Sequence, residues 1–343
     1  MSFEEGITSQ CDSANIKREK NMTVELLKFI AVLLIINSHA DIMYPRFSAL
    51  ATGGAIGDCL FLFLSGYTLF LGASRRFDNY YKRRLRRIFP SVLCAAIFIK
   101  FANPGHQFSA LELAGGEFIV ALLSYYVILY FVRRYALHAI PIVLSCVLLL
   151  SIVVYIFFFP YKYEVGERGL YGISTPFRWL PYFAFMLLGA YLGRKRADGT
   201  DCYSGGLLRN FVLVLGSCLL FYGLQLAAKH VPAVAPWQIV TIFPLLGIIY
   251  GIYRLFEHPV FEVLFRNRFI KGIILTVAGL CLESYLIQYT LITDKFNSIW
   301  PLNLLLIVVV ILLCSYMVRC AARIVTQTFS PEDYDWKAVF KLY

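Results

Sequence analysis

Charge is what this chain has least of: Asp, Glu, Lys and Arg make up 15% of 343 residues, while 59% are hydrophobic. A soluble domain carries charge at about a quarter of its positions. The deficit excludes a water-soluble globule, which could not hide so much apolar surface. Histidine is also scarce, at five residues, so few side chains can exchange a proton near neutral pH. The nine cysteines (Cys11, Cys59, Cys94, Cys146, Cys202, Cys218, Cys281, Cys314 and Cys320) have no C-x-x-C or histidine-paired spacing and fall mostly inside apolar runs. They read as small core residues, and neither a metal site nor a disulfide framework is implied. There is no internal repeat, low-complexity tract or appended soluble domain. No cleavable signal is expected either, because the first 22 residues are polar and the first apolar run lacks a small-residue cleavage site.

What is present is a series of apolar blocks of roughly 16 to 22 residues, the length that crosses about 30 Å of hydrocarbon as a helix. Unbroken stretches such as Ala139 to Pro160 exclude a transmembrane β-barrel, whose strands alternate over about ten residues. Ten spans are read, at 24–43, 53–73, 88–103, 117–132, 139–160, 179–193, 210–228, 237–256, 272–292 and 301–318. The fold class expected is therefore all-α: a polytopic integral membrane protein, about ten transmembrane helices in a single bundle with an internal cavity. Polar tails at 1–23 and 319–343 flank a membrane domain at 24–318.

An even span count places both termini on one side. The segments on that side hold 24 of the 32 Lys and Arg residues and the opposite segments seven, with Lys28 inside a span. This asymmetry makes the termini cytoplasmic. It also accounts for the formal charge of +11 without nucleic acid as a partner. Trp179, Trp237 and Trp300 fall at outer span ends, where interfacial anchors belong.

The first span, VELLKFIAVLLIINSHADIM, contains a lysine and a histidine, both costly in hydrocarbon unless they face a protein interior or a wet cavity. Eleven residues separate Lys28 from His39. In a helix that is about 20° past three full turns, so both project from one face about 16 Å apart. Lys28 either lines a polar interior or snorkels to headgroups paired with Glu25. His39 is the deepest histidine and the best general base in the bundle, against the alternative of a histidine simply hydrogen-bonded between helices. In the second span, Gly66 of Ser65-Gly66-Tyr67 permits close helix approach. The run YYKRRLRRIFP follows, with five positive charges between Lys82 and Arg87. Arg84 and Arg87, at i and i+3, can share a helix face and grip phosphate in a bidentate way. A basic clamp near one end of the bundle and a base inside it would suit coenzyme A, with phosphates at one end and a thioester at the other.

Lys28-x10-His39, FLFLSGY (Phe61 to Tyr67) and Arg84-x-x-Arg87-x-x-Pro90 together resemble the N-terminal hallmarks of the membrane-bound acyltransferase family 3, whose members O-acylate extracytoplasmic or lipid-linked glycans. LPYFAFMLLGAYLG (Leu180 to Gly193) is similar to the family's mid-chain span, and CLESYLIQYTLI (Cys281 to Ile292) to its late span. The resemblance implies that His39 is the essential histidine, Lys28 its basic partner, and Arg84 and Arg87 the coenzyme-binding pair. Two departures stand out. Leu62 replaces the second Phe of F-F-x-x-S-G, and Gln288 replaces the late-span histidine.

The function expected is transfer of an acetyl group from cytoplasmic acetyl-CoA to a glycan hydroxyl, in a bacterial inner membrane. Arg84, Arg87 and Arg83 would hold the donor's phosphates, and His39 with Lys28 would perform the transfer. Glu164, Glu167, Arg168 and Tyr171, in the outer connector between spans 5 and 6, would meet the glycan. The donor is a substrate, and no metal or resident cofactor is expected. Two alternatives are kept: a transporter or flippase of lipid-linked sugars, and an acyltransferase using succinyl-CoA or a non-glycan acceptor.

Overall fold

The computed structural model describes residues 21–72, 76–158, 169–171, 176–201 and 206–342, and among them every regular element is helical. In chain order the α-helices are α1 (Met22–His39), α2 (Gly54–Phe70), α3 (Phe77–Ala102), α4 (Ala110–Leu113), α5 (Gly116–Tyr135), α6 (Ile140–Phe158) and α7 (Trp179–Ala197). They continue with α8 (Leu207–His230), α9 (Ile242–Phe256), α10 (Val263–Arg266), α11 (Arg268–Gly279), α12 (Cys281–Leu291), α13 (Leu302–Thr328) and α14 (Trp336–Val339).

Local chemistry sets several boundaries. The Asn21 side chain accepts from the Val24 N–H and caps α1. Gly53, at φ 100°, takes the left-handed conformation that opens α2. The Asn267 side chain accepts from the N–H groups of Phe269 and Ile270 and starts α11. Other ends differ from the expected spans. The basic run expected before span 3 is itself helical, so α3 begins at Phe77 and Pro90 lies inside it. Likewise α13 continues past residue 318 to Thr328. Hydropathy marks where a chain tolerates hydrocarbon, whereas Lys and Arg are good helix formers and extend the same helix into a polar zone.

Seven segments are long and apolar enough to cross a membrane, and an eighth crossing exists if α11 and α12, bent by 74° at their junction, count as one span. The span expected at 272–292 is thus broken at Leu280. The remaining expected spans coincide with α3 and α7, but every 18-residue stretch of those helices includes at least three charged residues, so the full count of ten is not established.

The most extensive interface joins α2 to α7. A Cβ at Gly66 would lie 2.9 Å from the Met186 carbonyl carbon, and one at Gly189 2.7 Å from that of Phe63, so the two backbones touch where glycine leaves room. Around this pair, α1 packs on α2, α6 on α7, and α8 on α9. The second group is α3, α12 and α13, mutually packed, with α1 bridging to α11 and α12. Helices α6 and α8 are the least covered, with 17% and 11% of their apolar windows buried. Leu149, Leu150, Phe157, Leu219 and Leu220 on them are exposed, as lipid-facing side chains should be.

Candidate active site

One cavity of about 480 Å³ opens at the end of the bundle where α1 begins and α2 and α13 end. The start of α1 contributes Glu25 and Lys28, the end of α2 Ser65 and Thr68, and the middle of α3 Arg84, Arg86, Arg87 and Ser91. The break between α11 and α12 contributes Gly279, Cys281 and Glu283, and α13 adds Arg319 and Arg323. Six cationic side chains therefore share a cavity with only two carboxylates. Such a concave surface focuses a positive field and draws in anions.

The cations are held in different ways. Lys28 pairs with Glu25 at 2.9 Å, the intrahelical pair anticipated from the sequence, and it also lines the cavity. Arg84 lies between the rings of Tyr80 and Tyr126, 5.4 and 5.5 Å from their centroids. Its Nε is buried with no hydrogen-bond partner. Arg86 and Arg87 are exposed at the mouth. Arg83 is exposed too but does not line the cavity. Glu283, nearly buried, accepts from the Ser91 hydroxyl at 2.7 Å. The 74° bend between α11 and α12 falls at Leu280, between the lining residues Gly279 and Cys281.

His39 lies outside this cavity, at the far end of α1. Between it and Lys28, Val32 and Ile36 pack with Val277, Cys281, Ile307 and Ile311. The Tyr289 hydroxyl of α12 lies 2.8 Å from His39 Nδ1 and 3.1 Å from Nε2, and the two rings are 4.3 Å apart. Sequence reasoning missed Tyr289, although it directly follows Gln288 in the segment singled out. Gln288 itself is fully buried, and neither polar atom of its amide has a partner.

Among the outer candidates, Glu164, Glu167 and Arg168 lie outside the described residues. Tyr171 is packed on Tyr182 and Phe221, and its hydroxyl is 2.6 Å from that of Thr241. Leu170 beside it is buried and its N–H donates to Gln238, so this part of the connector is docked on the segment preceding α9. A further polar group was also missed. Asp58 of α2 lies within electrostatic reach of Arg178 and Tyr285, and Arg178 pairs with Glu117 at 3.3 Å. An acid inside an apolar run, in GDCLFLF, was the available signal.

The set singled out in the sequence is thus divided. Lys28, Arg84 and Arg87 share one cavity, His39 meets Tyr289 about three helical turns away, and Arg83 and Tyr171 belong to neither place. In comparisons with known proteins, the Acyltransferase domain family matches residues 23–320. No curated protein and no solved structure matches this chain.

Proposed function

This chain belongs to the membrane acyltransferase family 3, and from that premise we propose that it moves an acetyl group from cytoplasmic acetyl-CoA to a hydroxyl of an extracytoplasmic or lipid-linked glycan. The observation that carries the donor assignment is the cavity of six cations and two carboxylates. Coenzyme A concentrates its negative charge in the phosphates at one end of the molecule, so that end belongs among Lys28, Arg84 and Arg87. His39 lies beyond the packed residues Val32, Ile36, Val277 and Ile311, so the pantetheine arm, entering past Phe61 and Cys281, reaches it as that packing opens.

At His39 the imidazole takes the proton of the acceptor hydroxyl as its oxygen attacks the thioester carbonyl carbon. The carbon–sulfur bond breaks and the coenzyme thiolate leaves, to be protonated in turn. The same ring could instead carry the acetyl group and pass it to the acceptor in a second step. Either route needs the imidazole held in a fixed orientation, and the Tyr289 hydroxyl, within reach of both ring nitrogens, supplies an orienting contact. The acceptor approaches from the outer end, near Tyr171 and the connector that carries Glu164, Glu167 and Arg168. The positive-inside asymmetry of the sequence supports cytoplasmic termini and an inner membrane of the bacterial type.

Mass spectrometry of surface polysaccharide from cells with and without the gene tests this reading. Loss of a base-labile acetyl ester at unchanged glycan yield is expected. Loss of a succinyl ester would change the donor. Collapse of glycan export with unchanged acyl content per repeat would replace the enzyme by a transporter.

A further inference from the structure

Helix α13 brings two arginines to the cavity that the N-terminal motifs do not account for. Arg319 and Arg323 are spaced i, i+4 and so project from one face of α13. Both line the cavity with Arg84 and Arg87 of α3, the helix against which α13 packs. Arg319 lies within electrostatic reach of Arg87 and Arg323, with Glu283 the nearby counter-charge. Glu283 is itself engaged by Ser91. Guanidinium groups gathered this way repel one another, and an anion bound among them removes that cost.

The present partners of the two arginines are the second observation. Neither makes an ion pair among the described residues. Arg323 Nη1 donates to the Val339 carbonyl at 2.8 Å and to the Lys341 carbonyl at 2.5 Å, and Arg319 Nη1 donates to the Leu342 carbonyl at 3.4 Å. Neutral carbonyls are weaker guanidinium partners than phosphate oxygens, which accept charge-assisted and often bidentate bonds. Gly279 shapes the place where such bonds would form. A Cβ there would sit 2.5 Å from Arg319 Nη1, so the absence of a side chain lets the guanidinium reach the α11–α12 break, beside the first turn of α12.

We infer that Arg319 and Arg323 are donor-phosphate ligands that complete the clamp begun by Arg84 and Arg87, and that phosphate oxygens take the positions now held by the carbonyls of Val339, Lys341 and Leu342. The inference rests on the coenzyme A reading of the cavity and adds a second helix to it. A diphosphate and a phosphomonoester, the anionic groups of coenzyme A, would be gripped from both sides, by α3 and by α13, and the C-terminal segment would yield to them.

The test is isothermal titration of the purified full chain in nanodiscs with acetyl-CoA and, separately, with S-acetyl-pantetheine, which lacks the nucleotide phosphates. Wild-type protein should prefer acetyl-CoA by 100-fold or more. The double substitution Arg319→Gln, Arg323→Gln should weaken acetyl-CoA binding by tens-fold and leave S-acetyl-pantetheine unchanged, with Lys at both positions recovering part of the loss. Arg134→Gln, at an exposed position of α5 outside the cavity, should change neither. If the double variant binds acetyl-CoA as tightly as wild type, the inference fails while the wild-type preference still supports the donor reading. If wild type shows no preference between the two ligands, both fail. Equal loss of both ligands in the Gln and the Lys variants would make these arginines structural and likewise overturn the inference.

Discussion

Replacing Gly189 with alanine tests the contact on which the bundle is built. The new Cβ would sit 2.7 Å from the Phe63 carbonyl carbon and 3.0 Å from its Cα. Both atoms are backbone within a helix, so no side chain can turn away. The Phe63 carbonyl oxygen would be closer still, so restoring an ordinary separation requires α2 and α7 to part by about 1.5 Å. A gap of 0.5–1 Å already forfeits about a quarter to a half of each dispersion contact, and the facing residues Leu60, Phe63, Tyr67, Phe185 and Met186 are all fully buried. Overpacking costs about 1–3 kcal/mol where side chains can adjust, so a clash between backbones belongs at the upper end. Alanine's higher helix propensity returns about 1 kcal/mol. The net expectation is a loss of about 2 kcal/mol, or a fall of about 4 °C in the melting midpoint at the ~2 °C per kcal/mol of larger domains. Gly216→Ala on α8 is the matched control, because nothing lies within 4 Å of its new Cβ. There only the propensity gain should appear. Thermal melting followed by tryptophan fluorescence in one detergent compares the two. Equal midpoints for Gly189→Ala and wild type, or an equal loss in Gly216→Ala, would refute backbone contact as the basis of the α2–α7 interface.

His39→Ala should lower single-turnover acetyl transfer by about 10²-fold or more while acetyl-CoA binding persists; a wild-type rate would reduce His39 to packing. Tyr289→Phe keeps the ring contact and removes only the hydroxyl, so transfer should fall by about tenfold with unchanged donor affinity, and an unaltered rate and pH profile would deny it a positioning role. Arg84→Ala and Arg87→Ala should each raise the dissociation constant for acetyl-CoA about tenfold or more, with Lys restoring part, read by titration in nanodiscs. In a cysteine-free background, a single cysteine placed in the 161–178 connector should react with an impermeant maleimide in intact cells and one placed beside Lys337 should not; the opposite pattern would reverse the proposed orientation.

The long apolar helices were legible because membrane thickness imposes a minimum run that few soluble sequences contain. What the same measure missed has a physical pattern. The start of α3 at Phe77 was missed because charge ends a hydropathy peak without ending a helix, although the i, i+3 spacing of Arg84 and Arg87 already suited one. The break at Leu280 was hard to read for the opposite reason, since the apolar run continues through it with no proline, and only Gly279 before it and Glu283 after it mark the place. Gly66 could be read as a point of close approach, but its partner could not. That Met186 and Gly189 of α7 meet α2 follows from how non-adjacent helices stack.

The site divides along the same line. Lys28, Arg84 and Arg87 stood out because each is a charge beside or within an apolar run near a motif. Arg319 and Arg323 are equally charged, yet they were absorbed into the count that sets orientation, where any basic residue near a span end serves. The contact between His39 and Tyr289 joins positions 250 residues apart, and no local periodicity encodes it. The distance between basic cavity and imidazole is set within one helix by the eleven residues from Lys28 to His39. On the function proposed above, that separation suits a donor charged at one end and reactive at the other, with its phosphates among the cations of the cavity and its thioester at His39, and the apolar stretch of α1 from Phe29 to Ile36 spans the interval between them.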